Sequence, residues 1–284
     1  MTLRGTGNGD ANAVPPGHGD AHGVTSANGD AHAVAHGPDD GPSAQVAEAV
    51  AIVDAARRKD IALRLLGGVA IYLHSGPRHG VSPWRVFGDL DFIGRHADVK
   101  KINEVFTGLG YDADHEVNTL HGRYRLLFAK PGSGQRIDVL LDVFQMCHRL
   151  PLVERLGVDS PTISLADLLL TKLQIRELNR KDADDIAFLL SVHPIADHDD
   201  EAVNGAYVAR LCSHDWGLYR TTSDNLARLA DFDAPADVDR DVLRSRVHAL
   251  QQRIDDAPKS AKWRLRAKVG TRYPWYEEVE ELDR

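Results

Sequence analysis

Gly88-Asp89-Leu90-Asp91-Phe92 places two carboxylates two residues apart between large apolar side chains. In a strand, alternate side chains share a face. Asp89 and Asp91 therefore point one way, and Leu90 and Phe92 point into a core. Two neighbouring carboxylates repel each other and resist desolvation, so this strand needs a compensating cation. Hard oxygen ligands suit Mg²⁺, which is held by one or two carboxylates together with substrate phosphates. A segment ending in a glycine pair, Leu65-Leu66-Gly67-Gly68-Val69-Ala70, lies upstream. A second acid-bearing apolar segment, Arg136 to Phe144, lies downstream.

The chain has 284 residues and a formal net charge of −8. That length allows one or two domains with a substantial core. The acidic balance argues against a protein that coats nucleic acid. The chain has only two cysteines, Cys147 and Cys212, which implies no disulfide framework and fits a reducing cytoplasm. No apolar run is long enough to span a bilayer, and the first residues lack the apolar core of a secretory signal.

Residues 1–42 read as a disordered, low-complexity tail. A ten-residue period runs through Asn8-Gly9-Asp10-Ala11, His18-Gly19-Asp20-Ala21 and Asn28-Gly29-Asp30-Ala31. Units this short and this poor in large apolar residues bury nothing. Beyond the tail, the spacing predicts helices over 43–59 and 97–109. Short strands are expected over 61–66 and 87–94. Strands over 123–130 and 135–144 are joined by Pro131-Gly132-Ser133-Gly134, a hairpin signal. The character then turns helical: 165–178 opened by a Ser164 capping box, 182–192, 203–212, 216–229 and 237–254. The expected fold is α/β (α+β), a mixed sheet flanked by helices over 43–155. A helical domain over 156–284 follows it.

The second acid-bearing strand carries Asp138 and Asp142 on one face, so either can join Asp89 and Asp91 if the strands are neighbours. A third carboxylate has a defined task in two-metal nucleotidyl transfer, where one must accept the proton of the attacking hydroxyl. Gly67 and Gly68 let the backbone approach a phosphate at a helix N-terminus.

A Gly-Gly turn after a strand, then Asp-x-Asp, then a third Asp on a later strand resembles the DNA polymerase β-like nucleotidyltransferase superfamily. Within it, residues 60–192 resemble the minimal bacterial nucleotidyltransferases, including AbiEii-type toxins and antibiotic nucleotidyltransferases. The stretches Leu168 to Gln174 and Lys181 to Ile186 resemble the helical part of that group. The resemblance implies Mg²⁺ on Asp89, Asp91 and Asp138, with Asp138 favoured over Asp142. It implies phosphate contacts from Gly67, Gly68 and Lys172. The activity it implies is transfer of NMP from an NTP to a hydroxyl acceptor with release of pyrophosphate. The acidic charge favours a small-molecule acceptor. The alternatives are a toxin-type enzyme acting on tRNA or protein, and a nucleotide-binding regulatory module without turnover.

Several other signals carry a plainer reading. Cys147-His148 and Cys212-Ser213-His214 have zinc-binding residue types without zinc spacing, so they read as buried thiols. Lys172 borders the buried face of its helix, where it either snorkels or reaches a triphosphate. Arg125 either meets phosphate or pairs with a nearby Asp. The basic stretch Lys259 to Arg272 reads as a helix packed through Trp263, its charge offset by Glu277, Glu278, Glu280 and Glu281.

Overall fold

A computed structural model describes residues 42–76 and 87–278; the repeats of the tail lie outside them. The first helix, α1 (Pro42–Arg58), leads into β1 (Arg64–Leu66), which passes directly into α2 (Gly67–Ser75). Next come β2 (Asp89–Gly94), α3 (Val99–Gly108), β3 (Asp112–Ala113), α4 (His115–His121), β4 (Arg125–Ala129) and β5 (Arg136–Leu141). These five strands form one mixed sheet in the order β1-β2-β5-β4-β3. The β2–β5 pair is parallel and its neighbours are antiparallel. The hairpin expected around Pro131 is present as β4–β5.

Period-two alternation decides the two faces of this sheet. Leu65, Leu90, Phe92, Leu126, Phe128, Ile137 and Val139 lie on one face and are fully buried or nearly so. Phe106 of α3 covers them. It stacks on Phe128 at 4.4 Å between centroids and meets Phe92 and Tyr111 edge-on. Removing a fully buried aromatic leaves a cavity that the layer cannot close. Phe106→Ala is therefore expected to lower stability by about 3–5 kcal/mol, measured as an earlier midpoint in urea unfolding.

After β5 the chain makes a small hairpin, β6 (Phe144–Gln145) and β7 (Arg149–Leu150), and then becomes helical. Ser164 caps α5 (Leu165–Leu173) by accepting the Asp167 N–H, as the capping box predicts. This helix stops five residues short of the predicted Leu178 because a tertiary partner takes its last carbonyls. The Asn225 side chain donates to the carbonyls of Leu173 and Ile175, at 2.9 and 2.7 Å. Then follow α6 (Arg180–Val192), the short parallel pair β8 (Ile195–Ala196) and β9 (Val203–Asn204), and α7 (Gly205–His214). The chain continues through α8 (Trp216–Ala230), α9 (Arg240–Asp256) and α10 (Ala261–Val269). Side-chain oxygens of Asn179, Asn204, Asp215, Asp239 and Ser260 cap α6 to α10 in turn. The α9 stripe of Leu243, Val247, Leu250 and Ile254 is buried as its spacing requires.

One connected cluster of buried side chains runs from Ala49 of α1 to Ile254 of α9. The joint between sheet and helices is α2, which packs against β2, α5 and α6. Among the described residues no helix is long and apolar enough to cross a membrane.

Candidate functional site

The second sheet face carries the charged residues. In the parallel register Asp91 lies beside Asp138, and Asp89 lies beside Arg136. Residues that pair across a ladder share a face, so Asp89, Asp91 and Asp138 stand together. The sequence expectation for Leu90 and Phe92 holds on the opposite side, where both are fully buried. Asp142 does not join the group. It follows the end of β5 with a left-handed backbone (φ +63), and its Oδ1 accepts the His96 N–H at 3.0 Å. Four residues of strand rise separate it from Asp138, about 13 Å.

Among the described residues two arginines contact the acids. Arg125 grips Asp138 through a two-pronged fork, Nε to Oδ1 at 2.7 Å and Nη2 to Oδ2 at 2.5 Å. This is the pairing with a nearby Asp that the sequence left open beside phosphate contact. The hydrogen bond to Asp138 is the main reason that the Arg125 guanidinium sits above its usual pKa. Arg136, more exposed, reaches Asp89 at 3.1 Å.

Gly67 opens α2 with φ +68. A Cβ there would overlap Asp91 Oδ2 and stand 3.1 Å from its Cγ. The glycine thus brings the start of a nine-residue helix directly against the Asp91 carboxylate. That packing gives the Gly67-Gly68 turn a specific purpose beyond chain reversal. The first N–H groups of a helix have no intrahelical partner and carry partial positive charge, a suitable place for a phosphate. Gly67→Ala is expected to cost about 1–2 kcal/mol from the backbone alone, and to displace Asp91 as well. Gly110 is a control with equally unusual backbone (φ +83) but open space around it. Gly110→Ala should show the stability loss in thermal melts and leave any activity of the carboxylate face intact.

Lys172 lies elsewhere in the described contacts. Its Nζ contacts Asp182 Oδ1 at 2.6 Å and Asp185 Oδ2 at 3.0 Å, and the Asp185 side chain is wholly buried. Burial lowers the lysine pKa, but the charges and hydrogen bonds of Asp185 and Asp182 outweigh it and hold the pKa above the usual value. No described contact joins Lys172 to Asp89, Asp91 or Asp138. Asp182 and Asp185, from the stretch after Lys181, are held in this pairing with Lys172.

A divalent ion of Mg²⁺ type fits the donor chemistry of Asp89 and Asp91, which offer hard oxygens on one face beside a helix N-terminus. Among the described residues no group of three or more His, Cys, Asp or Glu is arranged to hold a metal. Both carboxylate oxygens of Asp138 accept from Arg125. The zinc-like residue pairs are occupied in other ways. Cys212 is fully buried, and burial pushes its thiol pKa up to about 12. Cys147 is buried with its Sγ 3.4 Å from the Arg176 N–H, and His148 contacts Thr221 Oγ1 at 2.8 Å.

No protein-family model matches the chain, and no curated protein matches it. Among solved structures, the solution structure of the antibiotic-resistance factor ANT(2'')-Ia is similar over 76% of this chain and 100% of its own, at TM-score 0.37 and 13% identity. The crystal structure of ANT(2'')-Ia with adenylyl-2''-tobramycin is similar over 51% of this chain and 87% of its own, at TM-score 0.36 and 16% identity.

Proposed function

We propose that this chain is a nucleotidyltransferase that moves NMP from an NTP to a hydroxyl group of a small molecule. The observation that carries the reading is the register of β2 and β5. It sets Asp89, Asp91 and Asp138 on one face, with the Gly67 turn packed against Asp91.

In this reading Asp89 and Asp91 would hold Mg²⁺. Bound there, the ion would supply charge neutralisation at the phosphates and a lowered pKa for the attacking hydroxyl. The N–H groups of Gly67 and Gly68 bind phosphate oxygens. The acceptor oxygen attacks the α-phosphorus, the bond to the β-phosphate bridge breaks, and pyrophosphate departs. Asp138 takes the hydroxyl proton, and Arg125 fixes the orientation of its carboxylate until then. Lys172 enters the reading as a candidate phosphate contact from the helical side.

The test is incubation of the protein with Mg²⁺, each α-labelled NTP in turn, and a cell extract. Label is expected in the small-molecule fraction, with equimolar pyrophosphate. Label in tRNA or protein would move the acceptor to a macromolecule. NTP binding by calorimetry with no label transferred in any fraction would point to a module without turnover.

A further inference from the structure

Two-metal phosphoryl chemistry holds its ions about 3.5–4 Å apart. A pair that close needs a shared acid with one oxygen for each ion. Taken oxygen by oxygen, the carboxylate face offers less than that.

Asp138 has both oxygens engaged. Arg125 holds Oδ1 through Nε at 2.7 Å and Oδ2 through Nη2 at 2.5 Å. A carboxylate oxygen can accept a second contact, but an ion placed there would stand against a guanidinium that cannot lose its proton. Asp91 has one oxygen hemmed in, because Oδ2 lies where a Cβ on Gly67 would overlap it. Asp89 Oδ1 accepts from Arg136 Nε at 3.1 Å. The set leaves an ion at most one oxygen of Asp89 and one of Asp91. That suits a single Mg²⁺, which takes one or two carboxylates and completes its octahedron with water and phosphate oxygens. It provides no shared acid for a pair.

The sheet sets Arg125 in this place. It lies on β4 opposite Leu140, two residues along from the Leu127–Asp138 pair. Diagonal neighbours on one face of a ladder are within reach of a long side chain. The Arg125 and Asp138 side chains are 22% and 15% exposed, against 57% for Arg136. Solvent therefore screens the Arg125 pair less than the Arg136 pair. The hydrogen bond to Asp138 does most to raise the Arg125 pKa, and the charges of Asp138, Asp91 and Asp89 raise it further. The guanidinium thus sits in the field of all three acids.

We infer that this face works with one divalent ion, on Asp89 and Asp91, and that Arg125 is the fixed cation at Asp138 in place of a second ion. The inference rests on the nucleotidyltransferase reading and narrows it. Arg125 and Arg136 together bring the two positive charges that a second divalent ion would bring. Arg125 is a positioning residue: it keeps Asp138 beside Asp91 as a proton acceptor rather than a metal ligand.

The experiment counts ions. The full chain is dialysed to equilibrium with Mn²⁺ and, in turn, the α,β-methylene analogues of ATP, GTP, CTP and UTP, which cannot release pyrophosphate. Bound Mn²⁺ and bound nucleotide are measured, and electron paramagnetic resonance is recorded on the same samples. One Mn²⁺ per bound nucleotide is expected, with the spectrum of an isolated ion. Arg125→Ala releases Asp138 and should take up a second Mn²⁺, with the spin-coupled spectrum of a close pair. Arg125→Lys keeps a cation and should stay at one. Melting curves establish that both variants are folded. Two Mn²⁺ per nucleotide in the wild type, or a spin-coupled pair there, would overturn the inference and leave the carboxylate-face reading standing. A folded Arg125→Ala protein that stays at one ion would overturn it as well. Absence of bound Mn²⁺ and nucleotide with all four analogues would sink the carboxylate-face reading, and the inference with it. The wild-type count needs no variant, so the test survives a variant that does not fold.

Discussion

Asp91→Asn is expected to reduce nucleotidyl transfer about a thousandfold or more while leaving the fold near intact. The side chain keeps its shape and one acceptor oxygen but loses the charge that holds a divalent ion. Metal-held charge is worth several kcal/mol in a phosphoryl transition state, and each 1.4 kcal/mol is a factor of ten. Asp91 lies on the half-buried sheet face, away from the aromatic layer of Phe92, Phe106 and Phe128, so that layer has no reason to rearrange. Asp89→Asn should behave alike, with the contact to Arg136 also disturbed. The measurement is label transfer by wild type and variants side by side, with calorimetry of Mg²⁺–NTP binding. Wild-type transfer by a cleanly folded Asp91→Asn protein would remove the metal role from this face.

Lys172→Met is expected to lower stability as strongly as the loss of the Phe106 ring. It leaves Asp182 and the wholly buried Asp185 facing each other without their cation. Removing one partner of a buried ion pair typically costs about 3–5 kcal/mol, because the other charge stays behind. For a chain of this size that is a fall in Tm of roughly 10 °C. The pH dependence has a definite sign. The folded-state pKa of Lys172 is raised, so the lysine contributes its full stability below the ordinary value of 10.5. The contribution is lost as pH climbs through the raised value. The gap between wild type and Lys172→Met should therefore hold through neutral pH and close only in strong alkali. Urea unfolding at several pH values measures this. NTP titration of the same variant decides the phosphate role. A weakened NTP affinity at a temperature where the variant is folded would place Lys172 on the triphosphate. An unchanged affinity would leave it with Asp182 and Asp185 alone.

The elements were legible where a short-range pattern sets them. Alternation marked Leu90 and Phe92 as pointing into a core. The glycine pair marked the passage from β1 to α2, and Ser164 marked the start of α5. Contacts between distant elements were not legible. Arg125 has five donors and a long reach, so only the β4–β5 register reveals that it grips Asp138. Asp138 and Asp142 share a strand face by counting. They part because Asp142 lies beyond the last ladder residue with a left-handed backbone. The end of α5 was misplaced for a related reason. Leu178 prolongs the apolar period, but Asn225 on α8 takes the carbonyls that would have continued the helix.

The parallel pairing of β2 with β5 also bears on how the molecule reaches its working form. Asp89 and Arg136 are ladder neighbours separated by 47 positions in the chain. Parallel strands cannot be joined by a tight turn, and long loops must close before such pairs gain any contact energy. The helices α8 and α9, by contrast, are built from local contacts. In a refolding experiment the helical circular dichroism should return first. Competence for NTP binding should follow at a later, slower step, when the two strands bearing the acids finally meet.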